Sequence, residues 1–283
     1  MRRIPERAIA NVRLLDEPER ASRGGWAFDP ARGVSDPVFG SQDLREVYDR
    51  AAGPPGGGGY VGRCTAPLLV DRRAGRAVSN DSAQIVRLLG TARSLGPGEA
   101  VHREVDLFPS GLEDEIEETN RWTYELISNA VYRAGFGTTQ AAFERAVGDA
   151  TRGLDRAEEL LESRRFLCGE RVTEADVMLL PCAARFDAVY AFLFLRGSCG
   201  LWRERPALRR WLEDCWSLPG VRETIDIRGC QESYYRTLFP LNPSQIIPVP
   251  TAAAATLGAD RPLEPAQAEE LLHWRELAGP EPC

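Results

Sequence analysis

The sequence predicts a mixed α/β half followed by an all-α half, and three observations carry that reading. Up to about residue 100, short β-like runs alternate with Gly- and Pro-rich breaks, the longest being Gly53-Pro54-Pro55-Gly56-Gly57-Gly58-Gly59. Beyond it, apolar residues recur at helical spacing with few interruptions. The chain as a whole, 283 residues at 43% hydrophobic and 27% charged, has the balance of a globular protein long enough for one large or two modest domains. We therefore expect an α/β domain over 1–95, an all-α domain over 100–250 and a tail over 251–283.

The β-like runs are Ala8–Leu15, Cys64–Asp71 and Arg76–Ser79, with residues 29–60 read as a long connection. A helix from Ser82 to about Leu89 closes the first half. In the second, Leu112, Ile116, Thr123, Leu126, Ile127 and Ala130 mark one helical segment, and Phe143, Val147, Ala150, Leu154 and Leu161 mark the next. Thr173-Glu174-Ala175-Asp176 has the form of a capping box, so a long core helix is expected from Thr173, with Val177, Leu180, Ala184, Ala188 and Ala191 as its apolar face. Further helices are expected over Pro206–Ser217 and Val221–Ile225. Ala252–Ala255 reads as part of a linker, and Glu264–Leu277 as an amphipathic tail helix.

A net charge of −7 disfavours a nucleic-acid groove, which needs a basic face to neutralise phosphate. All 35 basic residues are arginine, which excludes P-loop and Schiff-base lysine chemistry. Two histidines, His102 and His273, are too few and too far apart for a His-built metal site, so no metal is expected. Seven cysteines without a CxxC pair read as reduced thiols, and Cys182, within an apolar helical run, as a buried, inert one. The N-terminal Met1-Arg2-Arg3-Ile4-Pro5-Glu6-Arg7 lacks the apolar run of a signal peptide, and no uninterrupted apolar stretch reaches the ~18 residues of a membrane span. The expectation is a cytoplasmic protein without nucleic-acid or membrane partners.

Several ordered blocks carry a more specific signal. Arg63-Cys64-Thr65-Ala66-Pro67-Leu68-Leu69-Val70-Asp71 is followed by Ser79-Asn80-Asp81-Ser82. Gly25-Trp26-Ala27-Phe28 stands upstream of Asp36-Pro37-Val38-Phe39-Gly40. Asn129-Ala130-Val131-Tyr132-Arg133-Ala134-Gly135-Phe136, Arg185-Phe186-Asp187-Ala188-Val189-Tyr190, Ser233-Tyr234-Tyr235-Arg236 and Leu241-Asn242-Pro243-Ser244-Gln245-Ile246-Ile247-Pro248-Val249 follow in order. Together they resemble the glutathionyl-hydroquinone reductases, the Xi class of glutathione transferases. The resemblance implies a glutathione-transferase fold, here an N-terminally truncated thioredoxin-like domain followed by a C-terminal helical bundle, and a homodimer.

It also implies glutathione as cofactor and a small aromatic, hydroquinone-type adduct as substrate. If the bond before Pro67 is cis, as in thioredoxin-like folds, the backbone of Ala66 turns outward and can pair with a peptide ligand. Asp81 and Ser82 stand at a helix start, where Ser82 and the helix N-terminus can take a carboxylate while Asp81 faces an ammonium, the two charges of a γ-glutamyl group. An isolated Asp-Ser is more simply a helix cap, and it is the Pro67 context that favours the ligand. Trp26 packing against the peptide and Arg63 meeting its glycyl carboxylate complete the set. Tyr132, Tyr234 and Tyr235 match tyrosines that line the family's aromatic pocket, where a phenol can donate to a quinone oxygen and stack on its ring. The alternative for Tyr235 is core packing, and Trp122, Trp202, Trp211 and Trp216 are most simply core.

The sequence departs from the family in one respect. The resemblance implies a nucleophilic cysteine in a Cys-Pro-Trp-Ala motif at a helix N-terminus, attacking the sulfur of the thioether before a second glutathione resolves the mixed disulfide. No such motif is present, and the first cysteine is Cys64. Three readings follow: a start placed downstream of the native one, a diverged binding or interaction module without turnover, or a catalyst rebuilt on Cys64. Cys64 is more simply a core substitution, with no neighbouring base evident. If translation begins upstream, the intact mass from native cells exceeds this chain by about fifty residues. The missing strand is central in this fold, so the strands at Ala8–Leu15 and Ala66–Val70 are expected to lose their shared neighbour.

Overall fold

Leu44, Val47, Tyr48 and Ala51 stand three and four residues apart behind Asp43, and that spacing folds as a helix, α1 (Leu44–Ala51), within the segment read from sequence as a connection. The Asp43 carboxylate accepts the Glu46 N–H at 2.7 Å and caps the helix. The computed structural model describes residues 13–14, 26–30, 33–53, 59–91, 103–201, 203–238, 241–249 and 265–276. The chain divides into two units, Met1–His102 and Arg103–Cys283.

In the first unit β1 (Arg13–Leu14) pairs antiparallel with β2 (Trp26–Ala27), and β3 (Leu69–Asp71) with β4 (Arg76–Ser79). Among the described residues no strand joins these two ribbons. Of the run Ala8–Leu15, only residues 13–14 lie within the described residues. The run Cys64–Asp71 becomes strand only from Leu69, since Pro67 has no N–H to give a ladder. Helix α2 (Ser82–Thr91) follows β4 as expected. A small core of Leu44, Val47 and Tyr48 gathers Trp26, Phe28, Phe39, Tyr60, Cys64, Leu68 and Val70 around it.

The second unit runs β5 (Arg103–Val105), α3 (Glu113–Thr123), α4 (Ala130–Gly135), α5 (Gln140–Ser163), α6 (Glu174–Arg185), α7 (Pro206–Trp216), α8 (Ile227–Thr237), α9 (Pro265–Glu270) and β6 (Trp274–Glu276). Helices α3 and α6 each continue as a wider, π-helical segment, over Tyr124–Ser128 and Phe186–Phe194. Ile116, Ile127, Ala130, Ala150, Leu154 and Leu161 are buried as their spacing requires. The capping box is present at α6: Asp176 accepts from the Thr173 N–H at 2.8 Å. That carboxylate also takes the Leu167 N–H at 2.9 Å and the Trp211 Nε1–H at 2.8 Å. Burial pushes the Asp176 carboxyl upward, and these hydrogen bonds oppose it.

Four readings of this half are corrected. Val177 and Leu180 are only half-buried, while Ala175, Leu179, Cys182 and Ala183 are closed off. The cause is that α6 packs against α3, α7 and α8, not against one face. Val221–Ile225 shrinks to a single 3-10 turn, Arg222–Thr224, and the unassigned stretch after it forms α8, capped by Asp226 accepting the Gly229 N–H at 2.8 Å. The half is not all helix, because β5 and β6 pair antiparallel, Arg103 opposite Glu276 and Val105 opposite Trp274. For the same reason the tail helix stops at Glu270. Leu271 C=O takes the Val172 N–H at 2.8 Å and His273 C=O the Asp106 N–H at 2.9 Å, so tertiary pairing overrides helix propensity there. Residues 251–264 and 277–283 lie outside the described residues.

The continuous helix Glu174–Phe194 is long and apolar enough by composition to cross a membrane, at a mean hydropathy of 1.6. Some 61% of its most apolar 18-residue window is buried inside the unit, the pattern of a core helix.

The docked tail carries a pH dependence. His273 Nε2 is buried and without a partner among the described residues. Burial, with Arg171 adding to it and Asp106 opposing, lowers the imidazole below its ordinary 6.5. The docked segment therefore holds neutral His273, and its stability is full above that value and falls as pH drops through 6.5 toward the folded value, where the released segment binds the proton more readily. Hydrogen-exchange protection of residues 265–276, corrected for intrinsic rates, is expected to be lower at pH 5.5 than at pH 7.5, and His273→Gln to flatten the difference. Equal protection in the wild type at both pH values contradicts this.

Candidate functional site

The register of the second ribbon assembles the first candidate site. Leu69 at the start of β3 lies opposite Ser79 at the end of β4. Ala66-Pro67, just before β3, and Asp81-Ser82, just after β4, therefore stand at the same end of the ribbon. The Ala66–Pro67 bond is cis, as the sequence reading required. Ala66 is exposed, and among the described residues nothing pairs with its N–H or C=O.

Asp81 caps α2: its carboxylate takes the Gln84 N–H at 2.8 Å and its C=O takes the Ile85 N–H at 2.9 Å. A carboxylate has about four acceptor positions, so capping leaves it free to receive an ammonium as well. Ser82 is the first residue of α2 and is exposed beside the helix's orphan N–H groups. Arg63 is exposed, and Trp26 is half-buried against the Leu44–Tyr48 core.

Helix α1, which the sequence reading passed over, holds the loop that leads to Ala66. Tyr48 donates its hydroxyl to Thr65 C=O at 2.8 Å, and Arg45 reaches Tyr60 C=O at 3.0 Å and Cys64 Sγ at 3.5 Å. Cys64 is half-buried at the edge of the core, and its neighbour is this guanidinium, a cation and not a base. The cysteine raises the basicity of Arg45.

The second unit holds another cluster. The hydroxyls of Tyr132 on α4, Tyr190 on the π-helical extension of α6 and Tyr234 on α8 form a closed triangle. Tyr132 and Tyr234 are 2.6 Å apart, and each is 3.1 Å from Tyr190. Phe194 meets all three rings edge-on, with centroids 5.4–5.9 Å away. Gly135 makes room for it, since a Cβ there would overlap the Phe194 ring. Burial raises the Tyr132 and Tyr190 phenols well above their ordinary value, and they remain protonated donors.

Tyr132 and Tyr234 are thus brought together, and Tyr190 joins them without having been singled out from sequence. Its only signal was its place in the Arg185–Tyr190 block. Tyr235 is 5% exposed, and its buried hydroxyl has no partner among the described residues, so it stands apart from the triangle within the core. Trp122, Trp211 and Trp216 are core residues, and Trp202 lies outside the described residues. Burial lifts the Cys182 thiol to about 11, as an inert thiol requires.

Comparison with known proteins places this geometry. The family of the glutathione S-transferase C-terminal domain matches residues 140–214. The chain is 38% identical over 231 residues to glutathionyl-hydroquinone reductase PcpF of Sphingobium chlorophenolicum, covering 80% of this chain and 69% of the relative. It is 34% identical over 230 residues to glutathionyl-hydroquinone reductase YqjG of Escherichia coli strain K12, and spans 66% of that relative's length. Among solved structures, the glutathione-bound form of the E. coli protein superposes with a TM-score of 0.74 at 30% identity, over 88% of this chain and 77% of that one. The Xi glutathione transferase of Phanerochaete chrysosporium gives 0.72 at 34% identity, over 81% and 72%. At 38% identity over more than two thirds of a relative's length, the chain belongs to the glutathionyl-hydroquinone reductase family, the Xi class of glutathione transferases.

Proposed function

We propose that this chain is a glutathione-dependent reductase or transferase of the glutathionyl-hydroquinone type, holding glutathione at the end of the β3–β4 ribbon and the aromatic group at the tyrosine cluster. The observation that carries the reading is the register that sets the unpaired backbone of Ala66 beside the acid and helix start at Asp81-Ser82. Ala66 pairs with the ligand's peptide backbone, Asp81 takes its ammonium, Ser82 and the α2 N–H groups its carboxylate, and Arg63 and Trp26 the glycyl end and the peptide face. Glutathione supplies the thiol that carries electrons to the adduct. Tyr132 and Tyr234, with Tyr190 behind them, donate to the aromatic hydroxyls and orient the ring. The resemblance to the family further implies a homodimer as the active form.

The absence of a Cys-Pro-Trp-Ala run favours a second reading for this chain by itself, a glutathione-binding or interaction module without turnover. One experiment separates the two. The chain is titrated calorimetrically with glutathione and then assayed with a glutathionyl-hydroquinone. Binding with release of the free hydroquinone supports the reductase reading, and binding without release supports the binding module. Release abolished by Cys64→Ser assigns the chemistry to Cys64. No heat with glutathione removes the reductase reading and the glutathione-binding module alike.

A further inference from the structure

Arg185 closes α6 and points into the tyrosine cluster. Its Nε–H donates to Pro181 C=O at 2.8 Å, which pins the side chain. Its Cζ lies 5.8 Å from the Tyr190 ring centre and 6.0 Å from that of Tyr234. Other buried or half-buried arginines of this unit face carboxylates, among them Arg205 against Asp155 at 2.7 Å and Arg165 against Asp214 at 3.0 Å. The acids around Arg185 are different: Tyr190, Tyr234, Cys230 and Tyr132, three phenols and a thiol. Among the described residues no carboxylate pairs with it.

A half-buried cation without a counter-charge is costly in a poorly solvated place. Tyr132, Tyr190 and Cys230 do not supply that charge, because burial raises these acids and keeps them protonated. A hydroxyl of the triangle that turns its proton from its neighbour to a ligand is then a donor lying in the field of a fixed positive charge, which suits an anionic oxygen.

We propose that Arg185 is a specificity-determining residue that makes the tyrosine cluster select aromatic ligands with an ionised hydroxyl over neutral ones. The ligand oxygen accepts from the phenols and supplies the negative charge that Arg185 lacks. Arg185 acts through space and through the tyrosines it lies over. The inference rests on the aromatic site assigned above and goes beyond it in naming the charge state that the site prefers.

The test uses the full chain and 4-nitrophenol, whose ionised form is read by its visible absorbance, with 4-nitroanisole as the neutral match. On the wild type the apparent pKa of bound 4-nitrophenol is expected to fall by about one unit, the size of effect an opposite charge at this range produces. Arg185→Gln is expected to abolish that shift and weaken the phenolate about tenfold, leaving 4-nitroanisole unchanged, and Arg185→Lys to restore part of the shift. An unshifted pKa on the wild type, or a shift that survives in Arg185→Gln, overturns the proposal. If Arg185→Gln does not fold, as judged by circular dichroism, Arg185→Lys decides: a retained downward shift supports the role of charge, and a lost one overturns it. Calorimetry with glutathione runs in parallel. No nitrophenol binding with glutathione binding intact overturns this inference alone. The expected shift without glutathione binding supports it and sinks the glutathione reading.

Discussion

Replacing Asp176 with alanine is expected to remove ~4 kcal/mol or more from the stability of the helical unit, enough to leave it largely unfolded at physiological temperature. Asp176 is 1% exposed, and its two oxygens accept from Leu167 N–H, Thr173 N–H, the Thr173 hydroxyl and Trp211 Nε1–H. The threonine hydroxyl can turn to another partner. The two backbone groups and the indole cannot, and each buried donor left orphaned costs about 1–3 kcal/mol. The carboxylate also ties three separate pieces together, the turn at Leu167, the start of α6 and the middle of α7, so the loss is not confined to one helix end. Asp176→Asn is expected to fall between, since its oxygen can still take Leu167 and Trp211 while its NH2 faces the Thr173 N–H, donor against donor. Urea unfolding followed by circular dichroism measures the difference. A wild-type midpoint in Asp176→Ala means that these bonds contribute little.

Asp176 also marks how far sequence reaches. Its capping box was legible because cap chemistry is local: a threonine, an acid three residues on, and an apolar run behind them. Trp211 as its fourth donor was not, because that contact joins residues 35 apart in the chain. The same division runs through the candidate sites. The cis proline and the Asp-Ser helix start were readable from short blocks, but their placement at one ribbon end depends on the pairing of Leu69 with Ser79. Helix α1 was legible and was missed: Asp43 and the spacing of Leu44, Val47, Tyr48 and Ala51 carry the ordinary signal, obscured by the glycines and prolines on either side. Tyr190 was not legible as a site residue. A wider helical turn sets where it points, and nothing in the periodicity of Phe186–Phe194 announces that turn. The tail strand was misread as helix because the residues that claim it, Arg103–Val105, lie some 170 positions upstream by register.

Asp81→Asn is expected to weaken glutathione binding ~10- to 100-fold while leaving the stability of the first unit unchanged. The two halves of that statement separate the two roles Asp81 can have. As a cap, the residue needs only an oxygen for the Gln84 N–H at 2.8 Å, and asparagine supplies one as well as aspartate does. As the partner of an ammonium it needs its charge, and a hydrogen bond between charged groups is worth about 1.5–3 kcal/mol, or roughly 10- to 150-fold in affinity. Asp81→Ala removes both and is expected to cost a further ~1 kcal/mol of folding stability through the lost cap. A glutathione analogue without the ammonium closes the cycle: the asparagine variant and the wild type should bind it equally, since the group that distinguishes them is gone. Calorimetric titration of both proteins with both ligands gives the four affinities. If Asp81→Asn binds glutathione as tightly as the wild type, Asp81 is a helix cap alone, and the ligand's amino end is held elsewhere.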